Sequence, residues 1–105
     1  LKLSKEEGRI NWNQPSEVVS AKIRAFTSNP GAWTNFRGST LKIASPALTS
    51  ISLKAGEISM IEKKVFIGTE TYALEIGSIT APGKQGMPAS AWANGARLQP
   101  GERCE

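Results

Sequence analysis

Apolar and polar positions along this chain change their period once. Val18, Val19, Ile23 and Phe26 fall at helical spacing, with Lys22 and Arg24 pointing elsewhere, so one amphipathic helix is predicted up to about Phe26. Asn13 is placed to cap it, Pro15 suits its first turn and Glu17 suits its positive end. Pro30 and Gly31 stop the helix, and Trp33 supplies a large apolar anchor just beyond. From there the period is two. Residues 33–36, a turn at Arg37-Gly38 and residues 40–44 read as a β-hairpin in which Leu41 and Ile43 share one face and Lys42 takes the other. Pro46 is expected to close that strand, leaving 45–52 as a surface loop.

The same alternation predicts a second hairpin, 57–61 and 65–69, around a turn at Glu62-Lys63-Lys64, and a strand from Tyr72 to Ile76 continuing toward Thr80. Residues 81–87 form a Gly/Pro loop with Lys84 near its tip. A short helix is expected over 88–94, with Pro88 at its start and Gly95 placed to end it. An irregular tail follows, tacked down by Leu98. Ahead of the main helix, Ser4 and Glu7 have capping-box spacing, and Ile10 and Trp12 should fold onto the core. The order of elements predicts a mainly β fold: a small open β-barrel resembling the OB fold, with an N-terminal helix and a short late helix. Residues 1–13 read as a lead-in and 14–105 as the domain.

Composition narrows the chemistry. At 105 residues the chain can build one core but not a core plus a roomy catalytic cleft. It opens at Leu1 without an initiator methionine, as expected of a piece of a longer protein. No apolar run reaches the roughly 18 residues of a membrane span, and the absence of a signal-peptide pattern predicts a cytoplasmic protein. Cys104 is the only cysteine, which excludes a disulfide framework. Histidine and aspartate are absent altogether. That argues against histidine-based acid/base chemistry, a catalytic triad or a transition-metal site. Neither a catalytic site nor a metal site is expected here. Gly83-Lys84 is not a P-loop, because the upstream glycine and the following Ser/Thr are missing.

Charge adds the one functional lead. The net +4 is unevenly distributed. From Val18 to Gly56 no acidic residue occurs, while Lys22, Arg24, Arg37, Lys42 and Lys54 do; from Glu57 to Glu75 the balance reverses; from Ile76 to Gly101 the only charges are Lys84 and Arg97. A fold with one basic side can hold a phosphate backbone through long-range attraction and counterion release.

Several separated motifs, in order, resemble one family. Leu3-Ser4-Lys5-Glu6-Glu7, Arg9-Ile10-Asn11-Trp12, Gln14-Pro15 and Ile23-Arg24-Ala25-Phe26 are similar to the opening of the C-terminal domain of methionyl-tRNA formyltransferases. Pro30-Gly31-Ala32-Trp33-Thr34 and Leu41-Lys42-Ile43 continue the order, and Thr80-Ala81-Pro82-Gly83-Lys84, Met87 and 94–101 resemble its closing part. Gln85 stands where a second lysine commonly follows in the family, and Asn29 where a tryptophan is common. The resemblance implies an open barrel whose basic surface holds initiator tRNA through its phosphate backbone. It also implies an N-terminal catalytic domain of the same protein, which carries a formyl group from 10-formyltetrahydrofolate to the methionine of that tRNA. This chain itself would bind no cofactor.

On that reading Lys2, Lys5, Lys42, Lys84, Arg97 and Arg103 are the candidate tRNA-binding residues, with Arg24 and Arg37 behind them. Trp12, Trp33 and Trp92 are expected to pack in the core rather than stack on bases. The competing expectation is a scaffold domain of another formyltransferase, of the nucleotide-sugar or formyltetrahydrofolate dehydrogenase type, without RNA affinity.

Overall fold

A computed structural model describes residues 8–26 and 31–105. Lys2, Lys5, the Ser4/Glu7 pair and the Pro30 stop signal lie outside the described residues.

The first helix, α1, spans Ser16–Ala25. It begins after Asn13, which does not cap it. Pro15 occupies the cap position in an extended conformation without a side-chain cap bond. The orphan amide of Ser16 instead donates to Thr71 Oγ1 at 3.0 Å, from 55 positions away, so a distant loop caps the helix. Val19 and Ile23 are almost wholly buried, but Val18 is 46% exposed. One step on a helix turns the side chain by about 100°, which takes Val18 off the stripe.

Five strands form a continuous antiparallel sheet in the order β1-β2-β5-β4-β3, with β1 at Trp33–Phe36, β2 at Ser39–Leu48, β3 at Ile58–Ile61, β4 at Lys64–Ile67 and β5 at Leu74–Thr80. A two-residue strand, β6 (Met87–Pro88), pairs with β5. Both predicted hairpins are present. Their turn residues, Arg37-Gly38 and Glu62-Lys63, all have positive φ, the backbone that matches the natural strand twist in two-residue hairpins. Lys64 belongs to β4 rather than to the turn.

Pro46 does not end β2: the strand runs through it to Leu48, paired with β5. Past Ile43, whose N–H still donates to Ala32 O, only β5 flanks β2, so the N–H that proline lacks can fall on the open side. Between the pairs Ala44–Ser78 and Pro46–Ile76, Ser45 adopts φ 57°. A Cβ on Gly77 would lie 2.8 Å from that of Ser45. Ile76 and Ile79 are both buried although an odd number of residues apart. The inward face of β5 therefore switches at this crossing, curling the sheet into a half-barrel.

Trp12, Val19, Ile23, Leu41, Ile67 and Leu74 lie in the core enclosed by the sheet and α1. Trp12 Nε1 donates to Thr34 Oγ1 at 2.9 Å, so its polar edge is satisfied in the interior. The second helix, α2, spans Ala89–Ala96. Gly95 lies inside it and is not its stop; the helix closes on Arg97, in the left-handed conformation at φ 53° and ψ 67°.

The tail is more ordered than its sequence suggests. Asn35 and Glu105 exchange backbone hydrogen bonds of 2.9 and 2.8 Å on the β1 edge. Ile58 N–H donates to Glu102 O at 3.0 Å, and Cys104 N–H to Gly56 O at 2.6 Å, on the β3 edge. Residues 102–105 thus bridge both free edges of the half-barrel, covering amides and carbonyls that would otherwise invite another chain.

Candidate nucleic-acid interface

The described candidate cations occupy different settings. Lys42 is exposed on β2, directly opposite Trp33 on one side and Thr80 on the other. Thr80 ends β5, and the loop that leaves it carries Lys84, exposed, in a turn closed by its own N–H to Ala81 O at 3.1 Å. Arg97 is exposed at the end of α2. Register therefore puts Lys42 beside the root of the Lys84 loop, and α2 runs from that loop to Arg97. Arg103 stands apart: it donates from Nη2 to Ala55 O at 2.9 Å and lines a cavity of about 400 Å³ with Arg9, Asn11, Asn13 and the acidic Glu105.

Arg9 and Lys22 were not singled out from sequence, yet they connect these settings. Arg9 pairs with Trp33 as an isolated bridge, and its guanidinium sits 5.7 Å from the centroid of the Trp33 ring. Lys22 Nζ donates to Arg9 O at 2.6 Å. A row thus runs from Arg103 to Arg9, across Trp33 to Lys42, and across Thr80 to Lys84. The signal in the sequence was Arg9's place beside Ile10 and Trp12: two neighbours that fold inward leave it on the rim. Among the described residues none of Arg9, Lys22, Lys42, Lys84, Arg97 and Arg103 forms an ion pair.

Arg37, one of the weaker candidates, differs in being engaged within the fold. It binds the Glu102 carboxylate through Nε (2.6 Å) and Nη2, donates from Nη1 to Ala96 O at 2.7 Å and from Nη2 to Arg97 O at 3.1 Å, and lies 4.9 Å from the Phe36 ring centroid. The Glu102 bond raises the Arg37 pKa; the Arg37 bond and then the Gln99 amide hold Glu102 below the ordinary carboxylate range. Arg24 is exposed on α1.

The acidic residues of the middle segment are spread out: Glu70 donates its N–H to Gln14 O at 3.1 Å beside the start of α1, and Glu75 on β5 pairs with Ala47 of β2. Glu62 is in the β3–β4 turn, Glu75 reaches Lys64 at 4.0 Å, and Glu57 accepts the Lys54 amide at 3.1 Å. Folding also brings Glu102 to Arg37 and Glu105 to the β1 edge at Asn35, so the segregation read along the chain is kept only in part on the β1-β2 side.

Of the tryptophans, Trp12 and Trp33 are buried. Trp92 is only half-buried, edge-on to Phe36 at 5.4 Å. Cys104 is buried, and burial pushes its thiol up to about 12, so a thiolate is not available at neutral pH. No group of metal-ligating side chains occurs among the described residues, and no helix there is long and apolar enough to cross a membrane.

A family model described as "Formyl transferase, C-terminal domain" matches residues 2–97. The methionyl-tRNA formyltransferase of Salinispora arenicola is 38% identical over 103 residues, covering 96% of this chain and 33% of that protein. That of a Mycobacterium species is 40% identical over 98 residues, covering 92% and 32%. The chain thus spans about a third of the length of the relatives it matches. Among solved structures, a variant of HypX from Aquifex aeolicus matches with a TM-score of 0.77 at 24% identity, over 97% of this chain and 19% of that one, a likeness of fold. Sequence order, half-barrel and relatives agree that the chain belongs to the formyl transferase C-terminal domain family.

Proposed function

We propose that this chain is the C-terminal domain of a methionyl-tRNA formyltransferase, and that its row of cations holds initiator tRNA by the phosphate backbone. An N-terminal domain of the same protein would then transfer the formyl group from 10-formyltetrahydrofolate. The observation that carries the reading is the row Arg9, Lys42 and Lys84, none of them ion-paired among the described residues, in a chain whose relatives bear that enzyme's name. Residues of this chain contribute position, not bond-making: ammonium and guanidinium groups neutralise phosphates, and the rigid sheet fixes where the RNA lies. Lys2 and Lys5, which lie outside the described residues, are proposed as further phosphate contacts.

Titration of the chain with tRNA at several salt concentrations tests this. Three or four neutralised phosphates give log affinity a slope of about −2 to −4 against log salt, with Kd on the order of 10⁻⁴ to 10⁻⁶ M. Initiator and elongator tRNAs should bind alike, because no base is read. Salt-insensitive binding, or none at low salt, contradicts the proposal.

A further inference from the structure

A cavity of about 330 Å³ opens between the loop after β5 and α2, lined by Lys84, Met87, Ala91, Trp92 and Gly95, with Ala81 and Ala96 beside them. Its volume is at the small end of ligand sites, which run from about 300 to 1,000 Å³. Trp92 is the half-buried tryptophan of the chain; it packs edge-to-face with Phe36 and is among the residues that line the cavity. Lys84 stands at the rim without an ion pair among the described residues, and no carboxylate lines the walls.

Gly95 adds an independent point. It lies inside a helix, where glycine is costlier than alanine. Its φ is not positive, and a Cβ built on it meets nothing within 4 Å. Neither backbone geometry nor packing calls for glycine here. A bare backbone at the cavity wall is what close approach of a ligand needs.

We infer that this cavity takes one unpaired base of the RNA held on the basic surface, stacked on Trp92 with its phosphate at Lys84. Aromatic surface, a cation and the lack of carboxylates suit a base and its phosphate together. The inference rests on the RNA-binding reading above.

Single-stranded oligoadenylate, an abasic strand of equal length and a blunt RNA duplex serve as probes, read by tryptophan fluorescence and by anisotropy of labelled strands. Oligoadenylate should quench the fluorescence, and the abasic strand should not. Gly95→Leu, which fills the cavity, should weaken oligoadenylate by about five- to 150-fold, the range one stacked base covers, and leave the duplex unchanged. Gly95→Ala should raise the thermal midpoint while weakening oligoadenylate less. Duplex binding with no effect of Gly95→Leu on the single strand overturns the base site alone. Equal quenching by the abasic strand does the same. Binding of none of the three overturns the base site together with the basic-surface reading.

Discussion

Arg37, at the tip of the first hairpin, grips the Glu102 carboxylate with two of its nitrogens while donating to the carbonyls of Ala96 and Arg97. One side chain thereby ties β1-β2, the end of α2 and the edge-covering segment together. Arg37→Ala should lower the thermal midpoint by several degrees. Arg37→Lys should recover little of it, since an ammonium cannot present the planar fork. tRNA affinity and its salt slope should stay unchanged in both, because Arg37 is already committed. Melting curves and titrations read the two effects separately.

The same clamp has an acid limit. Glu102 is held below the usual carboxylate range first by the Arg37 bond and then by the Gln99 amide. A carboxylate depressed on folding stabilises above its unfolded pKa, about 4.3, and that contribution is lost as pH falls through the folded value. Stability should therefore decline on acidification below about pH 4.3, and Glu102→Gln should flatten that part of the profile. A pH series of urea melts checks it.

Gly56 carries φ 83°, and a Cβ there would lie 2.5 Å from Cys104 O. Gly38 carries φ 77° with nothing within 4 Å. Gly38→Ala should cost about 1–2 kcal/mol, the left-handed penalty alone. Gly56→Ala should cost more, because residues 102–105 must also shift off the β3 edge. Equal losses in chemical denaturation would argue against a tail that closes the barrel.

Cys104 tests burial from the other side. Its thiol, raised to about 12 mainly by desolvation, with Glu102 adding to the shift, should react slowly with disulfide reagents at pH 8 until the chain unfolds. A group whose pKa is raised on folding keeps its contribution below the unfolded value, about 8.5, and loses it as pH rises through the folded one. Stability should fall between about pH 8.5 and 12, with Cys104→Ala reducing the fall.

Local rules made much of this fold legible. Alternation at Leu41 and Ile43 placed the first hairpin, and helical spacing at Val19 and Ile23 placed α1. Pairings over long separations were not legible. Nothing near Ser16 announces that Thr71 will cap it, and nothing in residues 102–105 says that they reach both Asn35 and Gly56. Pro46 and Gly95 misled because their usual punctuation was overridden, by an open strand side and by a left-handed Arg97. At the candidate interface the lysines were visible as charges. Arg37's engagement and Arg9's place over Trp33 depend on tertiary contacts that no spacing encodes.

Charge reversal at Lys42 and Lys84 tests the central claim most directly. Both side chains are exposed and, among the described residues, in no ion pair, so Lys42→Glu with Lys84→Glu should leave the thermal midpoint near that of the parent chain. tRNA affinity measured at one low salt concentration should fall at least about tenfold, and the salt slope should become shallower by about 2. An unchanged affinity and slope in the folded double variant would contradict the account and leave a scaffold domain in its place.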